Sequence, residues 1–394
     1  VESTLTMSQH IDKVVVMGND IDRLGGIGRF MHRLSLELFN RGHTVELVGV
    51  APAPAGHYQP MDRPQQITER TLMSSQIPEA WTLKTLEHRL NPARRLRYSR
   101  RMRLRREAVD KLRELLPQWG PNTVIICTQV YGMEHMIEAG YDPANPQHPR
   151  VIGQYHGSAR EAKAIGDMRR VLQSYTGVDR FICLSAADAQ EFAAAGLNNV
   201  GWIANPVALP THDAPARRKV FASLGRYDKI KSLDYFLRAW ASVADQLPEW
   251  SAELYGEGPE REALESLIRE LKIPRVTLMG KTDDVGNALS SSSVHILSSQ
   301  NEGLPIAIVE AGLLGVPSVA FDCAPGVHDL IDDQVDGFIV TQNSVAELAD
   351  RMRALAQDDT LLSAFSQRIA ESSKRYLPEN VVAQWEEELR ELTF

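Results

Sequence analysis

Between residues 13 and 340 the chain alternates short apolar, β-branched runs with longer amphipathic stretches, and it does so in two series. The first series is KVVVMG (13–18), TVELVGV (44–50), TVIICT (123–128), RVIGQY (150–155) and RFICLS (180–185). The second is KVFASLG (219–225), SAELYG (251–256), RVTLMG (275–280), VHILSS (294–299), PSVAFD (317–322) and FIV (338–340). Several runs are apolar at consecutive positions rather than alternate ones, which suits parallel strands covered on both faces. The intervening stretches have helical spacing. Phe30, Leu34, Leu38 and Phe39 precede Gly42, and SLDYFLRAWASVADQL (232–247) and REALESLIRELK (261–272) follow later. Strands alternating with helices predict parallel α/β layers with right-handed crossovers.

NPVALPTHDAPARR (205–218) separates the two series, with three prolines and no periodicity, as a linker would. The expected fold is α/β, with two Rossmann-like doubly wound domains facing across a cleft. The N-terminal domain covers 1–205, the linker 206–218 and the C-terminal domain 219–375. A last apolar helix in 376–394 (ENVVAQWEEELREL, 379–392) can pack on either domain and so can cross back to the first. A length of 394 residues agrees with two or three domains of roughly 100–200 residues each. Ligands of such sheets bind beyond the carboxyl ends of the strands.

Hydrophobic residues make up 43% and charged residues 24%, which excludes disordered, collagenous and disulfide-scaffold classes. Against 43 basic side chains stand 51 acidic ones, a net charge of −8 that argues against a nucleic-acid partner. Cys127, Cys183 and Cys323 are far apart and lack metal-ligand spacing, so they read as buried hydrophobes of a reducing compartment. The first residues, VESTLTMSQHIDK, contain no apolar core of signal-peptide type, and no run approaches the ~18–20 apolar residues of a membrane span. The expected location is the cytoplasm, with the inner face of the plasma membrane as a peripheral site.

The acidic total conceals a basic segment. Residues 89–115 hold ten Arg and one Lys against three acids. Three readings compete for it: a solvated helix from about Arg97, a dock for anionic lipid headgroups, or a grip on a polyanionic acceptor, with Arg101 and Arg105 as anion-docking candidates.

The densest chemical signal is SSQNEGLPIAIVEAGLLGVPSVAFD (298–322). A strand ends at a polar loop and a helix begins near Pro305, so free backbone N–H groups and the positive helix end favour an anion there. Gly303 removes side-chain bulk where loop meets helix. Glu302 and Glu310 form a carboxylate pair able to accept hydrogen bonds from sugar hydroxyls. In the first half, Gly25 and Gly26 let backbone N–H groups approach a phosphate, and Arg29 stands one turn into the following helix. His156 follows a strand and precedes Gly157, and Asp20 and Asp22 are acceptor-side candidates.

EGLPIAIVE, carrying Glu302 and Glu310, resembles the Glu-x7-Glu motif of family 4 retaining glycosyltransferases with the GT-B fold. LGRYDKIKSLDYFLRAW (224–240) is similar to the family's Gly-Arg…Lys signature, with Arg226 and Lys231 in place and Ser232 where the family usually has Gly. YGEGPEREAL (255–264) resembles its Gly-x-Gly-Pro turn. The likeness covers nearly all of 219–375, whereas residues 1–200 share only GGIGRF (25–30) and YHG (155–157). The resemblance implies a nucleotide-sugar donor, UDP-linked glucose or N-acetylglucosamine by family frequency, with GDP-mannose open. It implies that Arg226 and Lys231 neutralise the leaving diphosphate, so that no cofactor and no metal is called for. Glu310 would hold the ribose hydroxyls, and Glu302 with the amides of Gly303 and Leu304 would meet the donor sugar. Gly25 and Gly26 would approach phosphate, Arg29 would meet donor phosphate or an anionic acceptor, and His156 would hydrogen-bond the donor sugar or the reacting oxygens. Glu302 is open between sugar binding and electrostatic stabilisation. CAPGVHDLIDDQVDGFIV (323–340) resembles enzymes that glycosylate wall teichoic acids and similar glycopolymers.

Rival classes make separate expectations. Gly26-x-Gly28 after a strand, with Glu46 twenty residues on, has the spacing of an NAD fingerprint, but Met31 stands at the third glycine position. A nucleotide-sugar epimerase or a phosphorylase shares the fold, and a binding module without catalysis would release no nucleotide.

Overall fold

A computed structural model describes residues 11–392, apart from 24, 55, 57, 59, 80 and 210–215. The first ten residues and the middle of the proline-rich linker therefore lie outside the described residues.

The first series forms a seven-stranded parallel sheet. In chain order its elements are β1 (Lys13–Gly18), α1 (Gly26–Asn40), β2 (Val45–Gly49), β3 (Thr68–Thr71), α2 (Leu86–Leu90), α3 (Pro92–Trp119), β4 (Thr123–Cys127), α4 (Val130–Glu138), β5 (Arg150–Gln154), α5 (Ala159–Ile165), α6 (Met168–Tyr175), β6 (Arg180–Cys183), α7 (Ala186–Ala194) and β7 (Val200–Trp202). The strand order is β3-β2-β1-β4-β5-β6-β7. Alternate residues of β1 serve opposite faces. Val15 and Met17 join a core with Leu104, Leu112 and Met133, from α3 and α4. Val14 and Val16 join a second core with Phe30 and Leu34 from α1. A run apolar at every position is thus the sequence of a strand sandwiched between helix layers.

The second series forms a six-stranded parallel sheet from β8 (Val220–Leu224), α8 (Leu233–Val243), β9 (Ser251–Tyr255), α9 (Arg261–Leu271), β10 (Val276–Gly280), α10 (Val285–Ser290), β11 (Val294–Leu297), α11 (Ile306–Leu313), β12 (Ser318–Phe321), α12 (Pro325–Leu330), β13 (Phe338–Val340), α13 (Val345–Gln357) and α14 (Asp359–Ser372). Its order is β10-β9-β8-β11-β12-β13. The last helix, α15 (Pro378–Glu391), leaves this sheet and buries Val381, Val382, Trp385 and Leu389 in the core beside α1. Trp385 is fully buried and packs 6.0 Å from Phe30, while Arg180 binds Glu388 at 2.6 and 3.0 Å and Arg41 binds Glu386 at 2.6 Å. By contacts the described residues fall into two units. One takes those within Val1–Cys183, Ala189–Pro206 and Val381–Phe394, and the other those within Leu184–Asp188 and Val207–Asn380.

Helix α3 begins before the expected Arg97. Pro92 occupies its first turn, and the Asn91 carboxamide accepts from the Arg94 amide at 3.1 Å. An N-cap asparagine followed by proline is a start signal independent of apolar spacing. All three cysteines are free and buried. No helix among the described residues is long and apolar enough to cross a membrane.

Candidate active site

Strand order reverses direction between β8 and β11, neighbours in the sheet that start opposite excursions of the chain. At such a switch point the loops leaving two adjacent strands part and open a crevice. The loop after β8 carries Gly225, Arg226 and Lys231, and the loop after β11 carries Ser298 to Pro305. Lys231 Nζ meets Glu302 Oε1 at 2.6 Å, with side-chain exposures of only 25% and 15%. Three further bonds hold this arrangement, one within the β11 loop and two between the loops. Ser299 Oγ donates to the same Glu302 oxygen at 2.6 Å, Ser298 Oγ donates to the Lys231 carbonyl at 3.1 Å, and the Gln300 amide donates to the Ile230 carbonyl at 2.7 Å. Ser298 and Ser299 were not singled out from the sequence; their signal is only position, as the residues directly after a buried strand that ends at the switch point.

The Gly-x-Gly-Pro turn after β9 supports this loop from below. A Cβ on Gly256 would lie 1.9 Å from the Gly225 carbonyl oxygen, and one on Gly258 would lie 2.2 Å from that of Tyr227. Both glycines also have positive φ, 147° and 159°. Their role is close backbone packing rather than direct ligand contact. Ser232, at φ 43° and ψ 47°, adopts the left-handed conformation that glycine would take without cost, and its hydroxyl donates to the Lys229 carbonyl at 2.9 Å. Gly303 and Leu304 lie against the start of α12, where a Cβ on Gly326 would meet the Gly303 carbonyl oxygen at 2.7 Å. Glu310 sits half-buried on α11. Arg226 is not drawn into the pair: its side chain is 69% exposed and reaches Asp228 at 4.0 Å. Behind the site, His295 on β11 is fully buried, bonded to Ser318 Oγ at 3.0 Å, and burial pushes its imidazole down to about 3 with Lys231 adding to the effect.

In the first unit the switch point lies between β1 and β4. Gly25, at φ 152°, caps α1 without a side chain, and exposed Gly26 opens the helix. Gly28 is packed, since a Cβ there would lie 2.2 Å from the Arg23 carbonyl oxygen. Arg29 is exposed. His156 follows β5 and stands edge-on to Phe30, ring centroids 4.8 Å apart. Neither of its ring nitrogens has a hydrogen-bond partner, and desolvation pushes its pKa down to about 3, so the ring is neutral at ordinary pH. Asp20 is half-buried and its pKa is raised, chiefly by desolvation, against the lowering influence of Arg23. Asp22 is committed to Arg63 at 2.8 Å, whose guanidinium also holds Glu69 at 2.6 Å. Asp22 and Glu69 line a cavity of about 320 Å³ with Ile21, Tyr58 and Arg70.

The two arginines offered for anion docking are turned to the protein instead. Arg101 is buried, its guanidinium 4.1 Å from the Trp81 ring centre and 5.3 Å from that of Tyr131. Arg105 is bonded to Glu138 at 2.5 Å. The NAD fingerprint fails on geometry as well. Glu46 is buried and accepts from Arg70 at 3.0 Å, Trp119 Nε1 at 3.1 Å and Lys13 at 3.2 Å. Burial favours its neutral form, but these donors outweigh burial and hold its pKa below the usual value, leaving the carboxylate occupied rather than open to a ribose. Among the described residues no group of three or more His, Cys, Asp or Glu is placed to hold a metal ion.

Residues 24–209 match the model of "Glycosyltransferase Family 4" and residues 218–358 that of "Glycosyl transferases group 1". The chain belongs to the family 4 glycosyltransferases. It is 35% identical over 191 residues to an uncharacterised glycosyltransferase of Haemophilus influenzae, covering 48% of this chain and 54% of that protein. It is 23% identical over 259 residues to the poly(glycerol-phosphate) alpha-glucosyltransferase of Bacillus subtilis, covering 64% of this chain and 38% of that one. With the poly(ribitol-phosphate) alpha-N-acetylglucosaminyltransferase of Staphylococcus aureus it shares 25% identity over 194 residues, 48% of this chain and 39% of the relative. The chain thus spans about half or less of these curated relatives. Among solved structures it superposes on TarM with a TM-score of 0.74 at 15% identity, covering 98% and 99% of the two chains. On HepE of Anabaena, solved with UDP and glucose, the TM-score is 0.71 at 18% identity, covering 96% and 99%. These likenesses establish the GT-B fold for this member of the family.

Proposed function

We propose that this family 4 glycosyltransferase is a retaining, metal-independent enzyme. It moves a hexose or N-acetylhexosamine from a UDP-linked donor to a cell-envelope acceptor, such as a polysaccharide, a teichoic-acid-like polymer or a glycolipid. The observation that carries the reading is the Lys231–Glu302 pair at 2.6 Å, held where the β8 and β11 loops part. When the bond from the sugar's anomeric carbon to the phosphate oxygen breaks, its electrons leave with the diphosphate. Lys231 and the exposed Arg226 supply positive charge for that leaving group in place of a divalent cation. A positioned donor of this kind is worth roughly 10²–10³ in rate. The acceptor oxygen bonds the anomeric carbon on the face that the phosphate leaves, and its proton passes to the departing phosphate oxygen.

Glu310 is assigned to the ribose hydroxyls, and Glu302 with the Gly303 and Leu304 amides to the donor sugar. Gly25, Gly26 and Arg29 are assigned to phosphate. His156, neutral and with both nitrogens unused, is assigned to a sugar hydroxyl. Asp20 remains the acceptor-side candidate, since Asp22 is engaged by Arg63. The teichoic-acid relatives and the UDP-bound structure of HepE support the donor and acceptor classes.

The experiment is a panel of UDP-, GDP- and ADP-sugars with a glycerol-phosphate oligomer, read by nucleotide release and by anomeric NMR of the product. Release from a UDP-sugar without added metal and an α-linked product is the expected result. A β-linked product from an α-linked donor overturns retention, and release that requires a divalent cation overturns metal independence.

A further inference from the structure

Helix α2 buries none of its residues, and the first buried residue of α3 is Arg101. The two helices pack on each other, so residues 86–100 form a helical arm that adds nothing to the core. Yet the arm displays three large apolar side chains: Leu86 and Leu90 on successive turns of α2, and Leu96 on α3, exposed by 72%, 73% and 72%. Around them stand Lys84, Arg89, Arg94, Arg95, Arg97 and Arg100, with Glu87 as the one acid between 84 and 100. Among the described residues, no carboxylate lies within ion-pair distance of Arg94, Arg95 or Arg97, whereas Arg105 and Arg113 further along α3 are paired. The base of the arm is anchored. Arg101 stacks on Trp81 and Tyr131, Arg100 donates to Ser75 Oγ at 3.2 Å, and Ser74 Oγ donates to Glu107 at 2.8 Å.

We infer that the 86–100 arm docks the protein on an anionic lipid bilayer, with Leu86, Leu90 and Leu96 entering the headgroup–acyl boundary and the unpaired arginines meeting lipid phosphates. Both halves of the chemistry are needed to choose this partner. A soluble polyanion would satisfy the arginines but offers nothing to three leucines left in water. A bilayer of acidic lipids supplies the charge and the apolar phase side by side. The long Arg side chains suit the boundary because their stems lie along apolar surface while their heads stay wet. The inference does not depend on the donor assignment, and the two fail separately.

The test is co-sedimentation of the purified chain with vesicles of phosphatidylcholine alone or mixed with phosphatidylglycerol. Binding is expected to the mixed vesicles and not to phosphatidylcholine alone. It is expected to weaken at least tenfold between roughly 0.1 M and roughly 1 M salt, over which the screening length falls from ~10 Å to ~3 Å. The triple variant Leu86→Ser, Leu90→Ser, Leu96→Ser changes only exposed positions and is expected to fold with an unchanged Tm while losing at least tenfold in vesicle affinity. Arg94→Glu, Arg95→Glu, Arg97→Glu is expected to abolish binding. Failure of the wild type to pellet with mixed vesicles overturns the inference. So does full binding by the leucine variant, or binding to soluble polyphosphate without binding to vesicles, which would make the arm a polyanion site.

Discussion

Lys231 Nζ and Glu302 Oε1 are 2.6 Å apart although the residues stand 71 positions apart in the chain, and Ser299 Oγ shares the same carboxylate oxygen at 2.6 Å. Lys231→Ala is expected to lower kcat by roughly 10²–10³, and Glu302→Gln by a similar factor, with the Tm held. Because each member positions the other, the double variant should lose far less than the product of the two. Ser299→Ala removes one charge-assisted bond and should cost roughly tenfold in kcat/KM. Nucleotide release and a thermal melt on each variant check these figures. Glu310→Ala should abolish turnover in a protein that still folds.

Gly258→Ala places a methyl 2.2 Å from the Tyr227 carbonyl oxygen at φ 159°. Steric clash and an unfavourable φ act together, so the variant should lose at least about 2 kcal/mol of stability. It should lose activity as well, because the displaced backbone leads directly to Lys231. Urea unfolding alongside nucleotide release measures both.

Ser232 gives a finer test of backbone strain. Its left-handed conformation suits glycine, so Ser232→Gly should keep stability within about 1 kcal/mol of wild type. Ser232→Val puts a β-branched residue into that conformation and should destabilise by about 2 kcal/mol or more. Equal melts for the two variants would contradict the assigned geometry.

His295 makes stability depend on pH. Its folded pKa, about 3, lies below the ordinary histidine value, so on acidification the unfolded chain takes up a proton that the folded chain refuses. Its contribution is fully present above about pH 6.5 and declines by about 1.4 kcal/mol per unit as pH falls toward 3. His295→Asn should be less stable near neutrality, having lost the ring's packing, yet show a shallower loss between about pH 6 and about pH 4. Denaturant midpoints across that range, compared for the two proteins, decide it.

The strands that carry the site were legible because both of their faces are buried. Val14 to Met17 advertise this by being apolar at every position. Strands β3 and β7 were not legible. The sequence of β3, TERT, sits at the sheet edge with mostly exposed side chains, and β7 is three residues long, so neither leaves an apolar run. Arg101 shows the converse. Among ten arginines it was read as an anion-docking candidate, yet the spacing Arg101, Leu104, Ala108, Leu112, Leu115 runs along one helix face, and that face is buried. The helical period carried the information, and counting charge obscured it. The Lys231–Glu302 contact was implicit in chain order, since each residue follows a strand bordering the switch point, but its distance depends on Ser298 and Ser299, residues too common in loops to be noticed.

The return of α15 has a consequence for how the chain is made. The pocket that Trp385 fills beside Phe30 belongs to a sheet whose last strand ends at Trp202. On a ribosome moving from the N-terminus, every residue of the second sheet emerges before that indole does. The unit that starts first is therefore completed last, and until then its α1 face carries an apolar gap.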